Sequence, residues 1–273
     1  MRQNESRFKA PDTPHVSQGL EALNYVVPTE LVELPSKGMF YPGDHPLYNQ
    51  EYVEIKHMTA KEEDILTSMS LIEKGVVLDY LIQSLLLNKD INNKSLFPGD
   101  RSAIILNARI NGYGPAYSFE TQCTNCQHKT KVECDLLTIK NKEINNKLVS
   151  DKGLMSLELP KTKYLTTIRF LSTYTEELLQ REINKKENMG FSNTSTTSFL
   201  SFIIDSVNGI KNTGGAIEQF IQNLPYLEAK YIKNKYAENK PDVDFTADLI
   251  CDNCGHMERR EVPLTAQFFW PES

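Results

Sequence analysis

The chain has 273 residues, 40% hydrophobic and 24% charged, which is enough to bury a sizeable core and ordinary for a globular protein. Its formal net charge of -6 weighs against a general nucleic-acid binder, because neutralising phosphates needs a basic surface. No stretch approaches the roughly 18 uninterrupted apolar residues of a membrane-spanning helix, and residues 1–30 hold no apolar run of signal-peptide type, so disulfides are not expected.

Residues 1–28 are polar, with Pro11, Pro14 and Pro28 and little periodicity, and read as a flexible arm. From Val32 to Leu47, proline and glycine impose successive turns; Gly38 and Gly43 are expected at positive φ, with Met39, Phe40, Tyr41 and Leu47 as anchors. Glu51 to His57 alternates polar with apolar, as a half-buried strand does. Thr59 and Glu62 form a capping box, and the helix behind it carries Ile65, Leu66, Met69 and Ile72 on one face. Gly75 interrupts that pattern. Val77, Leu78, Leu81, Ile82, Leu85 and Leu86 then make a broader apolar face, read as core in preference to a partner surface. Asp100, in the turn Pro98-Gly-Asp-Arg101, is expected to cap a helix through Ile110, with Arg101 in a surface ion pair. Gly112-Tyr-Gly-Pro115 ends that helix.

The most informative feature follows. Cys123-Thr-Asn-Cys126-Gln-His128 and Cys251-Asp-Asn-Cys254-Gly-His256 are two copies of one pattern, 128 residues apart. Strand-like stretches flank each copy: 116–122 and 129–136 for the first, 245–250 and 258–264 for the second. That is the layout of two zinc knuckles, whose four thiolates (Cys123, Cys126, Cys251, Cys254) complete one tetrahedral, structural zinc site with no open catalytic position. A redox CxxC pair is the weaker alternative. Cys134 reads as a small packed residue, while His128 and His256 read as solvated loop positions, with ligand replacement the lesser alternative.

Between the knuckles lies a mixed insertion. Met155 to Leu159 and Thr166 to Leu171 read as strands, and Thr175 starts a short helix with acidic residues at its positive end. Asn184 to Thr197 reads as a loop. Phe199, Phe202, Ile203 and Val207 mark one helix, Ile217, Phe220 and Ile221 another, and Tyr226 to Asn239 a last one before Pro241. The expected fold class is α+β: a split zinc ribbon with four cysteine ligands, a large mixed helical and strand insertion between the two knuckles, and a helical N-terminal half. The expected divisions are a flexible arm (1–28), an N-terminal helical region (29–115), a first knuckle hairpin (116–136), the insertion (137–244), and a second knuckle hairpin with an aromatic C-terminus (245–273). Closing the metal site across the insertion would fasten these parts into one interleaved body.

Four stretches resemble a known family: Glu33-Leu-Pro-Ser-Lys-Gly-Met-Phe-Tyr41, Met58-Thr-Ala-Lys-Glu-Glu-Asp-Ile-Leu66, Gly99-Asp-Arg through Tyr113-Gly114 into Cys123-Thr-Asn-Cys126, and Cys251-Asp-Asn-Cys254 to Phe268-Phe-Trp-Pro271. Together they span about residues 30 to 271. The family is the baseplate protein of T-even-type contractile-tailed bacteriophages, which includes baseplate hub subunits. The resemblance implies a structural or assembly component of a tail baseplate hub, located in the virion and, during assembly, in the host cytoplasm. It implies other hub or tail proteins as partners, and it supplies no catalytic residues.

Two further readings compete. A zinc-ribbon nucleic-acid-binding accessory protein would use Lys129, Lys131, Arg259 and Arg260 beside the knuckles, but four charges on an acidic chain are more often a solvated face. An enzyme is not expected: there is no HExxH, GxSxG or glycine-rich phosphate loop, and Cys134 and His128 need not meet. Neither a small-molecule substrate nor a membrane is expected. Phe268, Phe269 and Trp270 are the candidate partner-binding residues if exposed as a hot-spot plug; packed on the ribbon, the reading preferred, they are core.

Overall fold

The computed structural model describes residues 26–144, 149–150, 153–190, 195–263 and 268–269. Among them the fold is mixed α+β, with eight α-helices, four two-stranded sheets and one four-stranded sheet. Strand β1 (Thr29–Glu33) pairs antiparallel with β2 (Tyr52–Lys56), as the alternation in 51–57 predicts, with Val53 and Ile55 turned inward. The loop between them makes its tight turn at Lys37 (φ 48°) and Gly38 (φ 70°), not at Gly43. A Cβ on Gly38 would lie 2.3 Å from the Gln50 backbone nitrogen, so close approach and backbone conformation both require glycine there.

Helix α1 (Ala60–Thr67) opens with the expected capping box, the Glu62 carboxylate taking the Thr59 N–H at 3.0 Å and its hydroxyl at 2.6 Å. The single apolar face expected through Ile72 does not form. Ser68 is extended and stops the helix, so Leu66 is buried while Met69 and Ile72, on the one-turn helix α2 (Met69–Glu73), are exposed. Gly75 at φ 67° closes α2, with Val76 N–H on the Leu71 carbonyl and Gly75 N–H on that of Ile72, a Schellman arrangement. Helix α3 (Val77–Leu85) then buries Leu81, Ile82 and Leu85 as its periodicity predicts.

Helix α4 (Pro98–Tyr113) begins with Phe97 as N-cap and proline at its first position. Asp100 is therefore not the cap. It is fully buried, and its carboxylate accepts from Ser36 N–H (2.9 Å), Ser36 hydroxyl (2.6 Å) and Tyr41 hydroxyl (2.7 Å), pinning the 34–50 loop onto α4. Burial pushes its pKa up, against the three hydrogen bonds. Arg101 does form an ion pair, with Asp79 at 2.6 Å.

In the insertion, β6 (Met155–Glu158), β7 (Leu165–Ile168), β8 (Ile204–Val207) and β9 (Ile210–Lys211) form the four-stranded sheet in that order, all antiparallel. Two expectations fail here. Helix α5 (Thr173–Asn188), capped by the Ser172 hydroxyl, runs four residues past Asn184, with Lys185 and Lys186 at its negative end. Helix α6 (Ser195–Ile203) stops before Val207, because 204–207 pair with β7 as a strand. Helices α7 (Glu218–Gln222) and α8 (Tyr226–Asn239) follow, and the buried Glu228 of α8 accepts the N–H groups of Lys161 and Thr162 at 3.0 and 2.7 Å. The chain returns through β10 (Val243–Asp244), paired with β5 (Lys140–Asn141). One connected apolar core runs from Val32 to Phe269.

Candidate metal centre

Two hairpins carry the cysteines: β3 (Ala116–Gln122) with β4 (Lys129–Asp135), and β11 (Thr246–Ile250) with β12 (Met257–Glu261). Their turns are built alike. Cys123 N–H bonds the His128 carbonyl and Cys251 N–H that of His256, both at 2.9 Å, while Gln127 N–H and Gly255 N–H return to the Cys123 and Cys251 carbonyls at 2.9 and 2.8 Å. The residue after each second cysteine is left-handed, Gln127 at φ 59° and Gly255 at φ 68°. That bend brings both thiols of a hairpin to one side.

The hairpins face each other so that all four sulfurs lie within 4.8 Å of one another. Cys123 Sγ is 3.7 Å from Cys254 Sγ, and Cys126 Sγ is 3.6 Å from Cys251 Sγ. Four thiolates at about 2.3 Å from a tetrahedral zinc stand about 3.8 Å apart. The donor set and its spacing thus fit a closed four-sulfur metal site, and the sulfurs are too far apart for disulfides, whose S–S bond is about 2.05 Å.

Second-layer contacts repeat the two-fold relation. Asn125 Nδ2 donates to Cys254 Sγ at 3.7 Å, and Asn253 Nδ2 donates to Cys126 Sγ at 3.6 Å, each turn serving the other's second thiol. Thr124 hydroxyl donates to Glu258 at 2.7 Å, and Thr130 hydroxyl to Asp252 at 2.7 Å, so equivalent positions exchange donor and acceptor. The thiols are not held alike: the Cys254 N–H and then the Thr130 hydroxyl lower Cys251 to about 6, and the His128 N–H with Asn253 lowers Cys126, whereas Cys254, despite the His256 N–H, is pushed up to about 11 by the Cys126 thiol and burial. The duplicated asparagines were visible in the sequence. The Thr–carboxylate clasps were not read, though their matching offsets from the cysteines were a usable signal.

The remaining candidates fall outside the sulfur cluster. His128 is exposed and His256 half-buried, and neither joins the cluster; each turn uses their carbonyls. Cys134 sits on β4 opposite Tyr117, partly buried, its thiol pushed up by burial. Of the basic group, Lys129 and Lys131 stand on the outer face of β4 opposite Gln122 and Glu120. Arg259 is paired with Asp244 at 2.8 Å, and Arg260 with Glu258 at 3.3 Å.

Two of the three C-terminal aromatics lie in the interior, as the preferred core reading has them, and not in an exposed plug. Phe268 and Phe269 are only 1% and 4% exposed, and Phe268 packs edge-on against Tyr117 at 5.3 Å. Trp270 lies outside the described residues. The reason for the burial is Arg109 of α4, itself 1% exposed, which donates Nε to the Phe268 carbonyl and its two terminal nitrogens to the carbonyls of Gly114 (2.6 Å) and Ala116 (3.1 Å).

The fold is a mixed α+β body in which two distant hairpins gather four cysteines that could hold a metal ion. The family model for the T4 bacteriophage base plate protein matches residues 28–270, most of the chain, and the chain belongs to that family. No curated protein and no solved structure matches it. None of the described helices is long and apolar enough to cross a membrane.

Proposed function

We propose that this protein is a structural or assembly component of the hub of a contractile-tail baseplate, acting through contacts with other tail proteins and stapled by one structural zinc ion. The family match over residues 28–270 carries the baseplate reading, and a virion tail location follows from it. Zinc is favoured over other ions by the all-sulfur donor set and its tetrahedral spacing. Cys123, Cys126, Cys251 and Cys254 would hold it as a split zinc ribbon. With four protein ligands its chemistry is that of a cross-link between the two hairpins, not of a Lewis acid acting on substrate. The cross-link spans residues 123 to 254, so it holds together the ends of the whole insertion.

The test is elemental analysis of the purified chain together with its detection in isolated baseplates and in hub intermediates from infected cells. One zinc per chain and presence in either fraction are expected. A chain absent from both fractions refutes the hub role, and a metal-free chain with native stability refutes the zinc.

A further inference from the structure

His45 lies where the 34–50 loop meets the turn at residues 92–95, ahead of α4, and each of its ring nitrogens has one role. Nδ1 accepts the Leu47 N–H at 3.1 Å. Nε2 stands 2.7 Å from the Ser95 hydroxyl, which donates its own proton to the Asn92 carbonyl at 2.7 Å. Ser95 can therefore only accept from the ring, and Nε2 carries the hydrogen. The half-buried imidazole is held as the neutral Nε2–H tautomer.

That ring is what joins this part of the loop to the turn. The backbone bonds of residues 42–48 to each other are local, His45 N–H to the Pro42 carbonyl and Tyr48 N–H to the His45 carbonyl, both at 2.9 Å. Among the described residues, the 42–48 segment makes one side-chain hydrogen bond outside the loop, from His45 to Ser95. The imidazole also stacks on Tyr41, with centroids 4.3 Å apart and planes 9° from parallel.

A proton on Nδ1 would set an N–H against the Leu47 N–H, and two donors cannot bond. The ring would have to turn toward water to satisfy its new hydrogen, and the Ser95 bond would go with it. The charges around the ring do not favour that proton strongly enough to hold it in place. Asp44, next to it in the loop, favours the cation, but burial outweighs it and holds the His45 pKa below the ordinary 6.5. On the 92–95 turn, Lys94 is held by Glu177 at 2.9 Å and by Asp79 at 3.9 Å. On α4, Asp100 takes the Tyr41 hydroxyl at 2.7 Å, behind the stack. Across the cleft that His45 lines, Arg169 is paired with Asp205.

We propose that His45 is a proton-operated latch: its neutral ring joins residues 42–48 to the 92–95 turn, and a proton on Nδ1 releases them. Pro42 and His45 line an open cleft of about 930 Å³ together with Phe40, Phe97, Phe170 and Leu171, so the latch fixes one side of that cleft. Below pH 6.5 the released ring takes a proton that the latched ring refuses. Opening therefore increases as pH falls, by at most about tenfold per pH unit for one proton, and levels off once the latched ring titrates too.

The test is amide exchange in the isotopically labelled full chain from about pH 7.5 to about pH 5, each rate divided by that of an unstructured peptide at the same pH. Opening at Leu47 should grow about tenfold across that range. His45→Asn should abolish the pH dependence, because the asparagine oxygen can take the same N–H in an Asx turn and does not titrate. Nitrogen-15 shifts of the wild-type ring give a second measurement that needs no variant: the Nε2–H tautomer at neutral pH and a ring pKa below 6.5 are expected. Leu47 opening that does not rise in acid, an equal rise in His45→Asn, an Nδ1–H tautomer, or a ring pKa at or above 6.5 would each overturn the proposal.

Discussion

Arg109 and Phe268 are 159 residues apart, yet the guanidinium Nε of one donates to the backbone carbonyl of the other in the buried core. The same guanidinium holds the Gly114 and Ala116 carbonyls, so the end of α4, the start of β3 and the C-terminal segment meet on one side chain. Among the described residues no carboxylate pairs with it; the rings of Tyr113, Tyr117 and Phe268, with centroids 5.4 to 6.0 Å from its Cζ, lie around the charge.

This arrangement needs the planar fork rather than the charge. Arg109→Lys, which keeps a cation but reaches only one carbonyl well, is expected to lose about 2 to 3 kcal/mol of unfolding free energy in urea. Arg109→Met should be at least as harmful. A lysine variant of wild-type stability would show that the three carbonyls are satisfied without the fork.

For the proposed zinc staple, Cys254→Ser should leave the purified chain without zinc and abolish the cooperative unfolding transition of the wild type, since structural zinc in small peptides contributes on the order of 10 kcal/mol. Asn125→Ala and Asn253→Ala each remove one donor to sulfur while leaving all four ligands. Both should weaken zinc retention about tenfold in a chelator competition, and by similar amounts, because the two contacts are related by the local two-fold. Markedly unequal losses would contradict that equivalence.

The buried Asp100 cluster makes its own prediction. Asp100→Ala leaves the Ser36 N–H and hydroxyl and the Tyr41 hydroxyl without an acceptor, and is expected to cost about 3 kcal/mol. Tyr41→Phe should cost about 1 kcal/mol, and the double variant less than the sum, because the residues share one network. Additive losses in a denaturant-unfolding cycle would argue against the network.

Glu62 predicts an acid response. Burial raises its pKa, but Lys56, Ser84 and Thr59 bind the carboxylate strongly enough to bring it down from 4.5 to about 2. A depressed folded-state pKa contributes stability above the unfolded value that is lost as pH falls from about 4.5 to about 2. Glu62→Gln should therefore be less stable at neutral pH and show a flatter decline across that window. An unchanged slope would show that Glu62 is not the group titrating.

Local chemistry was legible where a residue's neighbours in sequence are also its neighbours in space. The capping box of Thr59 and Glu62, the burying face of α3 and the alternation of β2 all follow from periods of two or about four residues. Misreadings arose where a distant segment intervened. Ile204–Val207 became a strand because β7 was there to pair with it, and Asp100 became a loop pin because Ser36 and Tyr41 reach it from 64 and 59 residues away.

The duplicated cysteine turns were written in the residues themselves: spacing, flanking strands and a shared asparagine specify two thiol-bearing hairpins. Only the three-dimensional arrangement decided that the hairpins meet and that Phe268 and Phe269 belong to the interior. Spacing controls what a hairpin offers, whereas burial and pairing depend on which remote surfaces arrive to cover it, and no local pattern encodes that arrival.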